Sequence, residues 1–495
     1  MPSGGSLSSA PASFRLRRAS VSLRTTTDRG PDYDVAIIGA GDVGCAIARE
    51  FARFELRLVL IEAERDIGAG TSKANTAILH TGFDSKPGTL EARLVSRGHG
   101  LLLGYADQVG IALERSGGLL VAWDEAELER FPAIVENARR CGYDRMREVG
   151  REELRQREPH LGPDALGALE IPDEHIVCPF TPPLAWATQA VLAGAELRRS
   201  EQVVAIDRLE EGGWRVQTSH GRLGARWVIN AAGLLSDQVH RMAGYDGITV
   251  KPRRGELIVF DKLSRPLVNH VLLPVPSATT KGVLIAPTVF GNVILGPTAV
   301  DVEHKDDTGS TAEGIAYLQR LGRRIMPALL EHEVTATYVG LRATVEHDDY
   351  QIVVDNRHGY ACAAGIRSTG LTASMAIAEH VRDELTAAGL QLRERAAGLP
   401  DICMPNIGEA APRPHAQPER IAQDPEYGRI VCFCERVTRG EIRDAAASPI
   451  PPVDLDGLRR RTRALMGRCQ GFYCGAHLPA ALAEYAGRGP AELRE

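Results

Sequence analysis

Four cysteines stand in two pairs near the end of the chain, Cys432 and Cys434 in VCFCER and Cys469 and Cys474 in RCQGFYCGAH. Thiolates so spaced can ligate a [2Fe-2S] cluster or zinc, or close two disulfides. Cys45, Cys141, Cys178, Cys362 and Cys403 are scattered singly through apolar or mixed surroundings, as reduced thiols are in an intracellular protein, so disulfides fit poorly. The C-x-C pair is also tighter than the gaps of structural zinc knuckles. At the other end, G-A-G-D-V-G supplies Gly39, Gly41 and Gly44. The first glycine permits a tight turn, the second lets backbone amides approach a pyrophosphate, and the third allows a helix to pack closely on a strand. Ala40 and Val43 belong to the same candidate cofactor-binding turn.

These groups need elements to hold them. From Asp32, YDVAIIGAGDVGCAIAREFARFELRLVLIEAE reads as strand, glycine turn, helix and second strand, a βαβ unit. The helix N-terminus then faces phosphate charge, and Glu62 at the end of the second strand is placed to accept hydrogen bonds from ribose hydroxyls. Short β-rich runs follow, among them SGGLLVAW, WRVQTS, ARWVINAAG, ELIVF, GVLIAPTV and NVILGPT, several paired across Gly or Asn turns. The expected fold is α/β, α+β overall, with a nucleotide domain interleaved with an antiparallel β-sheet domain over 32–395. The Pro-rich stretch 396–428 reads as a linker and 429–495 as a compact module. Residues 1–31, rich in Ser, Thr and Arg without an apolar run, are expected to form a disordered extension.

No second G-x-G-x-x-G occurs, whereas an enzyme passing hydride from a nicotinamide to a flavin usually needs two, so the single site is expected to hold the redox cofactor itself. AAGIRSTGLTAS reads as a glycine-rich turn opening a late helix, able to offer amides and a helix dipole to the pyrimidine end of a flavin. With GAGDVG, Glu62, GTSKANTAILHTGF, VINAAGLLSD, PRRGE, GPTA, GLRAT and GIRSTGLTAS in that order, residues 32–395 resemble the FAD-dependent oxidoreductases of the D-amino-acid oxidase superfamily. Within it the chain is most similar to the branch of FAD-dependent glycerol-3-phosphate and L-2-hydroxyglutarate dehydrogenases. The resemblance implies FAD, a Rossmann-like FAD-binding domain and an antiparallel substrate domain. It implies cofactor contacts from Thr71, Ser72, Asn75 and Thr76, from Val203, from Ala231 and Gly233, and from Gly365, Gly370, Leu371 and Thr372. RVTRGEIRDA and DLDGLRRRTRALMGRCQG resemble the bacterioferritin-associated ferredoxin-like [2Fe-2S] domain, which implies that the four paired cysteines hold a cluster passing electrons on singly. Arg459, Arg460, Arg461, Arg463 and Arg468 either offset the charge of that cluster or form a solvated basic face.

The resemblance also places two candidate catalytic residues. His80 in AILHTGF lies where the family sets a residue near the flavin and can take a hydroxyl proton, or it is fixed in its loop by packing alone. Arg342 in VGLRAT matches the arginine that grips a substrate carboxylate or phosphate. Arg254, Lys281 and Arg367 are further substrate-anion candidates, the first two competing with the solvated role usual on hairpins. The expected reaction is hydride transfer from a small anionic secondary alcohol to flavin N5, with glycerol 3-phosphate, giving dihydroxyacetone phosphate, ranked first because of the cysteine module. L-2-hydroxyglutarate, another 2-hydroxy acid or an amino acid is the alternative. GFDSKPGTLEARL resembles that branch, and Lys73-Ala74-Asn75 replaces the arginine-bearing phosphate loop of the first. A non-catalytic electron-transfer subunit is the rival from another class.

The 495 residues suffice for two or three domains, and 44% hydrophobic content with a net charge of -6 gives no electrostatic case for nucleic acid. No run approaches the length of a membrane span. Expected partners are the small anionic substrate and an electron acceptor, whether a quinone, a partner subunit or a soluble carrier. An oligomer in the cytoplasm is expected, with peripheral docking at the inner face of the membrane, through a partner, left open.

Overall fold

A computed structural model of the chain describes residues 31–276 and 282–487. The expected N-terminal extension, as far as residue 30, and the candidate Lys281 lie outside the described residues.

Strand β1 (Tyr33–Ile38) lies mid-sheet because its apolar run VAII can be covered on both faces. It pairs in parallel with β2 (Leu58–Ile61) on one side and with strand Gly221–Asn230 on the other. Strands Glu196–Arg198 and Tyr360–Ala364 extend the parallel array outward, and the hairpin Val203–Arg208 with Trp214–Thr218 joins one edge antiparallel. Helix α1 (Asp42–Phe51) connects β1 to β2 and packs on helices Thr181–Leu192 and Gly370–Ala387. The third glycine of the motif sets how close α1 comes: a Cβ on Gly44 would stand 1.8 Å from the Gly39 carbonyl oxygen.

The second sheet has nine strands. Its long members Lys251–Phe260 and Val334–Thr344 run antiparallel along their whole lengths, with Arg253 opposite Arg342 and Gly255 opposite Gly340. Every pairing in it is antiparallel except that of Val271–Pro274 with Gly118–Ala122, a crossover the hairpin pattern did not foretell. A small third sheet joins Ile78–Leu79 and Leu113–Glu114 to His175–Val177. The architecture is the expected α/β arrangement of a parallel nucleotide-binding sheet interleaved with a largely antiparallel one.

The Pro-rich stretch lies against the body of the fold. Met404 N donates to Val109 O at 2.7 Å, Glu409 N donates to Val289 O at 2.8 Å, and Met404 and Ile407 are buried in the main core. The module beyond it has its own core, built on Val437, Ile442, Leu458 and Leu482. Its helix Arg439–Ala447 starts in a capping box between Thr438 and Glu441.

The arginine run docks this module. Asp66, 1% exposed in the turn after β2, receives Arg461 at 2.5 and 3.0 Å, Arg460 at 3.2 Å and Arg199 at 3.1 Å. Around them Lys73 pairs with Asp456, Arg468 with Asp261, and Arg463 with Glu435 and Asn292. Arg460, Arg461 and Arg463 are buried, which corrects the reading of these three as a solvated face, while Arg459 pairs with Asp456 and the half-exposed Arg468 lies within electrostatic reach of Cys434. Burial pushes the Asp66 carboxyl up, but Arg461, Arg460 and Arg199 outweigh it and hold it below its ordinary value.

Asp66→Ala leaves Arg460 and Arg461 buried without their carboxylate and is expected to lower the unfolding free energy by about 3 to 5 kcal/mol, read by urea denaturation. Since the folded value lies below the unfolded one, this contribution is complete above about pH 4 and is lost as the pH falls further. The wild type should therefore lose more stability than the variant between about pH 4 and about pH 2.

Candidate functional site

A cavity of about 660 Å³ runs from the N-terminus of α1 to the antiparallel sheet. Its first wall is the glycine turn. Gly39 holds φ at +99°, where a Cβ would stand 2.6 Å from Ala231 O, and a Cβ on Gly41 would press on Ser72 Oγ at 3.1 Å. Glu62 is pinned behind this turn, accepting from Ala40 N at 2.6 Å and Glu64 N at 2.8 Å, and burial raises its carboxyl above the usual range. Gly41, Val43, Thr71, Ser72, Asn75, Thr76, Ala231 and Gly233 line the near part of the cavity, and Gly365, Gly370 and Leu371 its far part. Gly39, Ala40, Gly44, Glu62 and Thr372 stand behind that wall, and Val203 lies on the edge hairpin, away from it. A glycine cradle at one helix N-terminus and a second helix N-terminus, that of Gly370–Ala387 without a side-chain cap, fit the pyrophosphate and the pyrimidine end of FAD.

His80 follows strand Ile78–Leu79 and lines the cavity. Its backbone N–H donates to Thr372 Oγ1 at 3.0 Å. Thr372 can reach it because helix Leu90–Val109 comes close at Gly98, where a Cβ would stand 2.3 Å from Thr372 O. The imidazole Nδ1 is 3.2 Å from Glu174 Oε2, and the other oxygen of this fully buried carboxylate accepts from Thr81 N at 2.7 Å and Thr81 Oγ1 at 2.9 Å. With Nδ1–H directed at Glu174, Nε2 is the basic nitrogen. Sequence reasoning missed Glu174, since nothing in IPDEHIV marks it apart from surface acids.

The far wall is cationic. Arg342 reaches only Thr298 O, at 3.3 Å, and meets no carboxylate among the described residues. Burial and the neighbouring Arg253 lower its guanidinium to about 10, so it remains charged near neutrality. A Cβ on Gly255 would stand 2.9 Å from Arg342 Nη2, so the glycine of PRRGE makes room for this side chain. Arg253 shares the wall and is paired with Asp301 through two hydrogen bonds, at 2.5 and 3.1 Å. Arg254, the sequence candidate, does not line the cavity and pairs with Asp307 at 3.1 Å, whereas its neighbour Arg253 does line it. Arg367 does line the cavity, held by Asp348 O at 2.6 Å and Glu91 at 3.2 Å.

In the C-terminal module the thiol of Cys434 contacts that of Cys469, and Cys432 that of Cys474, so each pair takes one cysteine from each loop. Two thiols for each of two irons is the donor set of a [2Fe-2S] cluster. Tight backbone turns bring the thiols to one end of the module, for Leu465 and Gln470 hold positive φ, and a Cβ on Gly467 would stand 2.2 Å from the Cys434 Cβ. Backbone N–H groups of Tyr473, Gly471 and Phe472 lower the Cys469 thiol below its ordinary value.

Comparison with known proteins agrees with both centres. The FAD dependent oxidoreductase family matches residues 34–384, and the BFD-like [2Fe-2S] binding domain matches residues 430–484. Glycerol 3-phosphate dehydrogenase of Caloramator mitchellensis is 33% identical over 94% of this chain and 96% of its own length. L-2-hydroxyglutarate dehydrogenase of Escherichia coli O17:K52:H18 is 29% identical over 54% of this chain and 64% of its own. The solved structure of dithionite-reduced L-alpha-glycerophosphate oxidase from Mycoplasma pneumoniae with FAD bound superposes with a TM-score of 0.72 at 26% identity, covering 75% of this chain and 99% of that one.

Gly467→Ala forces Cys434 out of register and is expected to lower iron and acid-labile sulfide from about two of each per chain. Flavin content should be retained, as read by absorbance together with iron and sulfide assay.

Proposed function

The chain belongs to the FAD dependent oxidoreductase family, and we propose that it oxidises glycerol 3-phosphate to dihydroxyacetone phosphate, its electrons leaving through the C-terminal [2Fe-2S] module. The observation that carries this reading is Arg342, a cavity-wall guanidinium with no carboxylate partner among the described residues, set beside Arg253. A lone cation suits any anionic tail. Two adjacent guanidiniums suit a phosphate dianion, Arg342 through its donors that meet no carboxylate among the described residues and Arg253, held by Asp301 through Nε and Nη2, through its Nη1. Lys73, where the sequence lacks the arginine of a phosphate loop, pairs instead with Asp456 at 3.3 Å, so the phosphate grip is assigned to the antiparallel sheet. The dehydrogenase name of the Caloramator relative supports the reading across both modules, whereas the L-2-hydroxyglutarate relative matches about half of the chain.

His80 has the geometry of the base that takes the substrate hydroxyl proton onto Nε2, and Glu174 orients the ring and stabilises the imidazolium that results. Arg342 and Arg253 fix the phosphate end, so the carbinol carbon is presented at a set distance from them. A bound FAD would supply the hydride acceptor for that carbon, and a cluster held by Cys432, Cys434, Cys469 and Cys474 would supply one-electron transfer onward. The buried Thr372 and Glu174 keep the His80 loop in place through its backbone N–H and imidazole.

Anaerobic addition of glycerol 3-phosphate is expected to bleach the flavin band. Faster bleaching by L-2-hydroxyglutarate overturns the substrate assignment, and no bleaching by either compound or by amino acids favours the electron-relay rival. Arg342→Ala should lower kcat/KM for glycerol 3-phosphate by about 10- to 150-fold through loss of a charged hydrogen bond, with FAD retained. Glu174→Gln should lower kcat with little change in KM, and His80→Ala should slow flavin reduction by about 100- to 10,000-fold in stopped-flow measurements.

A further inference from the structure

The glycine motif contains an acid that dinucleotide binding alone does not explain. Asp42 opens α1, so its side chain sits where the helix N-terminus presents its amides to the pyrophosphate. It lines the cavity yet is only 7% exposed. Its backbone N–H donates to Ser72 Oγ at 2.9 Å, and its Oδ1 is buried with no hydrogen-bond partner among the described residues.

No cation among the described residues answers this carboxyl. On its own helix the nearest titratable group is Cys45, whose thiol burial pushes up and whose surroundings are otherwise acidic, with Asp42, Glu62 and Asp66. From the end of β2, Glu62 turns to the amides of Ala40 and Glu64, and in the turn beyond, Asp66 is taken up by Arg199, Arg460 and Arg461. In the turn Thr71–Ala74, Ser72 hydrogen-bonds to Asp42 while Lys73 is directed to Asp456. An ionised Asp42 would therefore face a diphosphate with like charge on both sides and nothing between them. A neutral carboxylic acid turns the same geometry into a donor, since its O–H is what a phosphoryl oxygen accepts.

We propose that Asp42 is a protonated hydrogen-bond donor to the pyrophosphate of the dinucleotide, so that binding FAD takes up one proton from solvent and weakens as that proton is lost. The balance is a carboxylate, a proton and FAD giving a carboxylic acid hydrogen-bonded to FAD, with no redox change. Burial, opposed by Ser72, raises the Asp42 carboxyl to about 7, which puts the switch near neutrality. The inference rests on the FAD assignment but not on the choice of substrate.

The test uses the full-length chain stripped of flavin and titrated with FAD. Flavin fluorescence quenching should give a Kd that is flat below about pH 7 and rises by up to about tenfold per pH unit above it. Calorimetry at about pH 8 in buffers of different ionisation enthalpy should show net uptake of about one proton. Asp42→Asn, which keeps an N–H donor and cannot ionise, should bind FAD with a Kd that stays flat over the same range. A wild-type Kd that does not change with pH, calorimetry without proton uptake, or an Asn variant that keeps the wild-type pH dependence each overturns the proposal. Failure of the chain to bind FAD at any pH overturns the cofactor assignment instead, so the two outcomes are distinct. The wild-type calorimetry stands even if the variant does not fold.

Discussion

Asp66 lies in the turn after β2, buried so fully that a lone carboxylate there would stay protonated. It is ionised because Arg199 of its own module and Arg460 and Arg461 of the C-terminal module converge on it. Those arginines are just as poorly hydrated, so neither surface is stable without the other, and removing one partner costs far more than the pair contributes. This mutual need fixes the cysteine module against the turn that follows β2, a strand that borders the dinucleotide cradle. The peripheral pairs, Lys73 with Asp456 and Arg468 with Asp261, are more exposed and add orientation rather than strength.

The two redox centres were legible in the sequence because each is encoded locally. A glycine turn between strand and helix requires its residues at fixed spacing, and so do two loops that each carry a close pair of cysteines. What the sequence hid depends on partners far away along the chain. Glu174 reaches His80 across a gap of about a hundred residues, and its role comes from the pairing of strands Ile78–Leu79 and His175–Val177. Arg253 and Arg254 are neighbours of one type on one strand, and alternation sends them to opposite faces. Only the register with Val334–Thr344, which sets Arg253 opposite Arg342, shows which one faces the cavity. The arginine run has the same character: composition reads it as a solvated face, and the acid that buries it lies nearly four hundred residues upstream.

The cavity carries opposite chemical demands at its two ends. At the sheet, Arg342 holds a positive charge that no described carboxylate neutralises, and the adjacent Arg253 makes that charge harder to keep. At α1, Asp42 holds a buried oxygen without a protein partner among the described residues. Buried carboxylates elsewhere in the chain are satisfied with care: Glu174 receives Thr81 twice, and Glu256 receives Thr298 and Thr311. Unpartnered buried atoms also occur off the cavity, as at His175 Nδ1 and Trp186 Nε1, so it is their place in the lining of one cavity that leads us to propose ligand atoms as the partners of Arg342 and Asp42.

That arrangement has a thermodynamic consequence. Groups held ready for a ligand weaken the protein that carries them, because their desolvation is met by no compensating bond within the chain. Cofactor and substrate supply those bonds, so each stabilises the folded chain by mass action as well as by contact. The two contributions lie at separate ends of the cavity and act through different groups, the dinucleotide through the glycine turn and Asp42, the anion through Arg342 and Arg253. Hydride transfer needs the substrate carbon against the flavin, so the two ligands touch and their stabilisations should not add independently in thermal unfolding. Strict additivity would mean that anion and dinucleotide bind at separate anchors without touching, which direct hydride transfer does not allow.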